Sequence, residues 1–300
     1  MKTSFSLSWA CSFLFALTVA AAPVEIAPGV HLLRGELVPG RQPDGNSVIF
    51  TRPGGAIVVD TGRHAAHTRA ILDFAKPKTV INTHWHLDHI GGNALIRREV
   101  PDVKIYASGA FDDALKGFLA NYAKQLEDVI AKTSGEEQQR YRTELALIRS
   151  GKQLAPDEAI AGTRTVESLE IHLEKDAVTA GDLWILDRKT GTLVAGDLVT
   201  LPVPFLDTAK PRVWQETLAR LSAVEFQRLV PGHGPVLTRD QFAQYRTAYD
   251  NLLACAASTR SNEDCSTGWL KDLGALVAKS EHEYARQALA YYLDQHLRAK

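Results

Sequence analysis

Thr83-His84-Trp85-His86-Leu87-Asp88-His89 is the stretch on which the reading of this chain turns. It follows the strand-like run Thr79-Val80-Ile81 and sets three imidazoles and a carboxylate within positions 84 to 89. Side chains of these types at this spacing are the donors a metal needs, delivered by the end of a strand. The plain alternative is a polar loop that happens to hold histidines. Only ten histidines occur in the chain, so three in one short loop fit chance poorly.

Upstream, Val24-Glu25-Ile26, Val30 to Leu33, Ser47 to Phe50 and Ala56 to Val59 read as strands. Pro28-Gly29, Pro39-Gly40, Pro43-Asp44-Gly45 and Pro53-Gly54-Gly55 punctuate them as turns, which suggests an antiparallel start to a sheet. His64 to Ala75 has helical spacing and is stopped by Pro77, and Lys78 to Asn82 is the strand that feeds the histidine loop. Downstream, Gly91-Gly92-Asn93 allows close backbone approach before a short helix, Ala94 to Arg98, and a strand, Val103 to Tyr106. Alternation of strand, loop and helix predicts a layered α/β core.

Residues from about 108 to 154 change character, with Leu115, Leu119, Tyr122, Leu126 and Ile130 at helical spacing, a break at Thr133-Ser134-Gly135, and a second helical run. This is expected to be a helical hairpin inserted between strands, walling the site. Strands return at Val166 to Leu173, Leu183 to Leu186 and Leu193-Val194-Ala195, the last two joined by a hairpin turn over 187–191. A helix over 213–224 leads to the strand Arg228-Leu229-Val230. The organisation expected is therefore a domain over 23–238 and a helical extension over 239–300, its helices at 239–256 and 270–297. Trp269, Tyr291 and Tyr292 are expected in the core, and His31, His64, His67, His282 and His296 as structural or surface residues.

Lys2, the apolar run Trp9 to Ala22 and the small residues Ala20-Ala21-Ala22 before Pro23 read as a secretory signal peptide over 1–22. The run is shorter than the ~20 residues of a spanning helix, and no later stretch qualifies, so a periplasmic or secreted protein is expected. Removing Lys2 leaves 33 basic against 35 acidic residues, a net charge of −2. That balance gives no electrostatic case for binding nucleic acid. Cys255 and Cys265 remain, and in an exported chain they read as a disulfide.

Three more polar residues end expected strands: Asp60 after Val58-Val59, Asp197 in Ala195-Gly196-Asp197-Leu198, and His233 in Pro231-Gly232-His233-Gly234. With them, the His-x-His-x-Asp-His stretch resembles the metallo-β-lactamase superfamily of metal-dependent hydrolases, over nearly the whole mature chain up to about Thr238. The resemblance implies a four-layer αβ/βα sandwich with one or two metals, usually zinc, between the sheets. It implies that His84 and His86 hold a first metal, that Asp88, His89 and His233 hold a second, that Asp197 bridges, and that Asp60 orients the site from outside.

The chain departs from the pattern where relatives carry His-Thr-x-Gly-Asp. Here the segment reads Val178-Thr179-Ala180-Gly181-Asp182, and a valine takes the place of a third histidine. Asp176 and His172 are the nearby residues that could substitute. One firmly held zinc and a weaker second metal are expected. The resemblance further implies hydroxide supplied by the metal attacking an ester, thioester, lactone or amide carbonyl of a small molecule, with Asp88 as the catalytic carboxylate. Asp197 is similar to glyoxalase-like and lactonase-like members. The altered ligand and export signal are most similar to periplasmic members associated with quinoprotein or sulfur-oxidation systems. The alternatives are a non-catalytic metal-binding accessory protein, a β-lactamase, and an iron-dependent enzyme similar to sulfur dioxygenases.

Overall fold

The computed structural model describes residues 22–36 and 42–298, so the signal segment but for Ala22, and the Pro39-Gly40 turn, lie outside the described residues. Strands β1 (Val24–Ala27), β2 (Val30–Leu33), β3 (Ser47–Phe50) and β4 (Ala56–Val59) pair antiparallel in succession. Helices then intervene, and each return to the sheet is parallel. Helix α1 (Ala65–Phe74) leads to β5 (Pro77–Ile81), α2 (Leu87–Ile90) and α3 (Asn93–Glu99) lead to β6 (Lys104–Ser108), and α4 (Phe111–Lys116), α5 (Phe118–Ile130) and α6 (Gly135–Ser150) lead to β7 (Glu158–Ile160).

The second sheet runs β8 (Arg164–Val166), β9 (Leu169–Glu174), β10 (Asp182–Asp187) and β11 (Thr192–Thr200), all antiparallel, and α7 (Pro211–Leu221) returns β12 (Arg228–His233) parallel to β11. The extension is α8 (Arg239–Ala256), α9 (Asn262–Leu273) and α10 (His282–Tyr292), the last continued by a π-helical turn, Leu293–Leu297.

The period-two alternation of the strands explains the layering. Val48, Phe50, Ile57 and Val59 point to one side and meet Ile171, Leu183, Ile185 and Val230 in a core between the sheets. Ile49 and Val58 point to the other side and pack on Ile71 of α1 and Ile96 of α3. Leu186 and Leu193 turn away from the inter-sheet core onto Trp214, Leu218, Tyr245 and Tyr249 of the helices behind. Strands buried on both faces read as continuous apolar runs, which is why they were visible in the sequence. The result is the expected four-layer αβ/βα sandwich.

Several local expectations need correction. The insertion has three helices, because Gly117 breaks α4 from α5, and together they bury Phe111, Leu119, Leu126, Leu145 and Ile148 against Trp85, Leu87 and Ile90. Strand β7 carried no periodic signal; its neighbour Asp157 fixes it, accepting from Ile105 N at 2.8 Å and pairing with Arg97 at 2.9 Å. Helix α9 starts at Asn262, well before position 270, because Ser261 and Asp264 form a reciprocal capping box. Tyr291 is 53% exposed while Tyr292 is buried, since consecutive helical residues point about 100° apart. Trp269 is buried as expected, its Nε1 donating to Pro202 O at 2.8 Å. No described helix is long and apolar enough to cross a membrane.

Candidate metal centre

The polar residues singled out in the sequence are brought to one end of the two sheets. Asp60 follows β4, the histidine loop follows β5, Asp197 lies in β11, and His233 ends β12. Two glycines make the convergence possible. A Cβ on Gly232 would lie 2.0 Å from Asp197 Oδ1, and one on Gly45 would lie 2.6 Å from the His89 ring. Any side chain at either position would displace the residues it backs.

Six donors fall into two groups, His84, His86 and Asp197 in one, and Asp88, His89 and His233 in the other, each with its donor atoms within 4.8 Å of one another. His84 Nε2 is 3.4 Å and His86 Nδ1 3.8 Å from Asp197 Oδ2. His89 Nε2 is 3.2 Å from Asp197 Oδ1 and 3.5 Å from Asp88 Oδ2, and His233 Nε2 lies 2.9 Å from Asp88 Oδ2. Asp197 thus faces both groups.

The surrounding hydrogen bonds assign the ring tautomers. Asp60 receives the backbone N–H and the hydroxyl of Thr83, each at 2.7 Å, so the Thr83 oxygen can only accept from His84 Nδ1–H, at 3.0 Å. Asp60 also accepts from His89 Nδ1–H at 2.8 Å. Thr208 donates its hydroxyl to Val178 O at 2.8 Å and must therefore accept from His86 Nε2–H at 3.0 Å. In the neutral form of each of these rings the nitrogen left as a lone pair is the one aimed inward. Asp60 sits at φ +60°, a left-handed conformation that Asp tolerates better than most residues.

His84 Nε2, His89 Nε2 and both Asp197 oxygens are buried without a hydrogen-bond partner. Polar atoms in that condition are costly unless something else satisfies them. Burial, reinforced by His89, pushes His84 down to about 4, so its ring is neutral at pH 7. Burial would raise the Asp88 and Asp197 carboxyls, but His89 and the neighbouring histidines override it and hold both well below the usual carboxylate range. Burial would likewise lower His89, but Asp197, Asp60 and Asp88 together push it well up, so a cation held there would take the place of a proton on its Nε2. Inward lone pairs and crowded buried carboxylates are a donor set that fits a divalent cation.

Neither substitute for the third histidine reaches the centre. Val178 is fully buried in the helix-side core. Asp176 is about half exposed and pairs with Lys210 at 2.9 Å. His172 stacks on Trp184 at 3.8 Å between centroids, and its Nδ1 lies 3.2 Å from Thr163 Oγ1. The segment keeps its shape through Asp182, whose carboxylate accepts from Val178 N at 2.9 Å and from Thr179 Oγ1 at 2.8 Å and which burial pushes up to about 7.

Sequence reasoning missed Thr208, whose contact with His86 spans 122 positions, and Asn46, whose Nδ2 donates to Pro231 O at 2.9 Å and Gly234 O at 3.0 Å and so braces the loop carrying His233. Neither carries a local signal. It also treated Pro43-Asp44-Gly45 as a turn alone, whereas Asp44 accepts from Arg63 N at 2.7 Å and His64 N at 2.8 Å.

Over His86 and Asp88 opens a cleft of about 320 Å³. Phe118 and Tyr122 of α5, Trp85, Phe205, and Tyr284 and Tyr292 of α10 line it. The insertion, the loop after β11 and the C-terminal extension therefore all supply wall.

A family model described as the metallo-beta-lactamase superfamily matches residues 40–233. Over 43 residues the chain is 51% identical to a cytoplasmic hydroxyacylglutathione hydrolase of Arabidopsis thaliana, a stretch that is 14% of this chain and 16% of the relative. Among solved structures, a metallo-beta-lactamase from Pontibacter korlensis superposes with a TM-score of 0.56 at 20% identity, covering 76% of this chain and 98% of that one. The metallo-beta-lactamase FIM-1 from Pseudomonas aeruginosa, in its mono-zinc form, gives 0.56 at 18% identity over 77% and 96%. At these identities the likeness to the solved structures is one of fold.

Proposed function

The chain belongs to the metallo-beta-lactamase superfamily, and from that premise we propose that it is an exported, zinc-dependent hydrolase of a small acyl substrate, an ester, thioester or lactone. The observation that carries this is the set of inward, otherwise unpartnered donor atoms of His84, His89 and Asp197, buried beside His86 and Asp88, which line an open cleft. Imidazole and carboxylate donors suit zinc, with iron as the competing metal.

When bound, such a metal polarises a carbonyl and lowers the pKa of water from 15.7 to about 7. The chain's own residues supply the rest. Asp88 lines the cleft as a carboxylate and accepts a hydrogen bond from the attacking water, orienting it. Asp60, Thr83 and Thr208 hold three rings in the tautomer that points a lone pair inward. The walls from α5 and α10 restrict water and position the acyl group.

The stretch shared with the Arabidopsis hydroxyacylglutathione hydrolase supports hydrolysis of an acyl compound. Export is supported by the Lys2 and Trp9 to Ala22 pattern and by the bonded pair Cys255 and Cys265. With Val178 where a third histidine would stand, one metal is held firmly and the second weakly. Elemental analysis of the purified chain after gentle dialysis, beside a panel of ester, thioester and lactone substrates with Asp88→Ala as control, tests both parts. About one zinc per chain and hydrolysis abolished in Asp88→Ala are expected. Two tightly held metals would overturn the unequal sites, and a metal-loaded chain inert on the whole panel would leave a metal-binding accessory protein.

A further inference from the structure

We propose that the cleft selects a neutral substrate carrying a flat apolar group and disfavours an anionic carrier such as glutathione; this rests on the hydrolase reading above and names its substrate class.

The argument begins with the rings. Phe118 lies 6.3 Å from the His86 ring and 5.2 Å from Trp85, and Phe205 meets His233 edge-on at 5.1 Å. Each donor group therefore has a phenyl ring at its side. Phe118 and Tyr122 are nearly parallel, 29° apart at 6.5 Å, and Tyr284 adds a further ring from α10. Phe118 is 42% and Tyr284 40% exposed, although each belongs to an element with a well-buried face of its own. Exposed rings on both an inserted helix and a terminal helix, lining one cleft over one centre, are what a planar apolar group stacks upon.

Charge gives the second half. Among the described residues that line the cleft, Arg63 is the only lysine or arginine. Its guanidinium is held by Glu144, at 2.6 Å and 2.9 Å, with Tyr122 OH at 3.1 Å, and its charge is matched there. Asp207, on the same wall and accepting from Tyr292 OH at 2.8 Å, adds a negative charge beyond the metal donors. An anionic carrier entering here meets a carboxylate and no unmatched cation from these residues.

The test uses thioethers, which carry no ester, thioester or lactone bond, so its outcome is independent of the proposed hydrolysis. Binding of S-benzyl-N-acetylcysteamine, S-methyl-N-acetylcysteamine and S-benzylglutathione to the metal-loaded chain is measured by calorimetry. The neutral benzyl compound should bind about tenfold or more tighter than either of the others. Phe118→Ala and Tyr284→Ala, both at exposed positions, should each weaken the benzyl compound several-fold and leave the methyl compound unchanged. Glutathione binding as tight as the neutral benzyl compound, methyl binding equal to benzyl, benzyl binding unchanged in both variants, or no binding at all would overturn the proposal. Hydrolysis without this preference would leave the hydrolase reading standing and remove only the substrate class.

Discussion

At the scale of single residues, the centre is decided as much by what holds the rings as by the rings themselves. His84 to His89 could be read from spacing, and Asp197 and His233 from strand ends beside glycine, because their types are rare and their contexts local. Thr208 could not, since a threonine 122 positions from its partner has no periodicity to betray it. Its hydroxyl is committed to Val178 O, which forces it to accept from His86 and fixes the inward Nδ1. Replacing it by an isostere without the hydroxyl should therefore free the ring without disturbing packing. For Thr208→Val, metal affinity measured by chelator competition should fall about 10-fold or more, and Thr208→Ser should restore it.

At the scale of elements, long helices and buried strands were legible because tertiary packing and local pattern agree in them. Strand β7 and the start of α9 were not, for opposite reasons. The first is fixed by Asp157 and its partners rather than by its own residues, while the second had a local signal, Ser261 with Asp264, that periodicity alone does not register. Beside its apolar packing, a part-buried ion pair ties the insertion to the first sheet. Arg63, following β4, is held by Glu144 of α6 with side-chain exposures of 10% and 17%. Removing the carboxylate leaves a largely buried guanidinium without its counter-charge. Glu144→Ala is expected to lose about 3 kcal/mol, read by urea denaturation, with earlier proteolytic cutting at the α5–α6 turn over 131–134.

At the scale of the whole molecule, the extension after β12 proves to be part of the cleft, since Tyr284 and Tyr292 line it and Tyr292 is tied to Asp207. The Cys255–Cys265 bond joins α8 to α9, which packs against α10, closing a loop of sequence separation 10. Replacing both by serine should cost about 2–3 kcal/mol by the loop-entropy relation, measured as a lowered urea midpoint, with weaker binding of aromatic ligands as α10 loosens. The sequence by itself determined the layered α/β class and the family and singled out the candidate donor residues, because alternation, turn residues and a dense cluster of rare side chains are local properties. The tertiary structure alone decided that Asp176 and His172 stay away from the centre, that Thr208 and Asn46 brace it, and that insertion and extension share one cleft. Those outcomes depend on which surfaces meet when two sheets pack face to face, and nothing along a single segment encodes its distant neighbour.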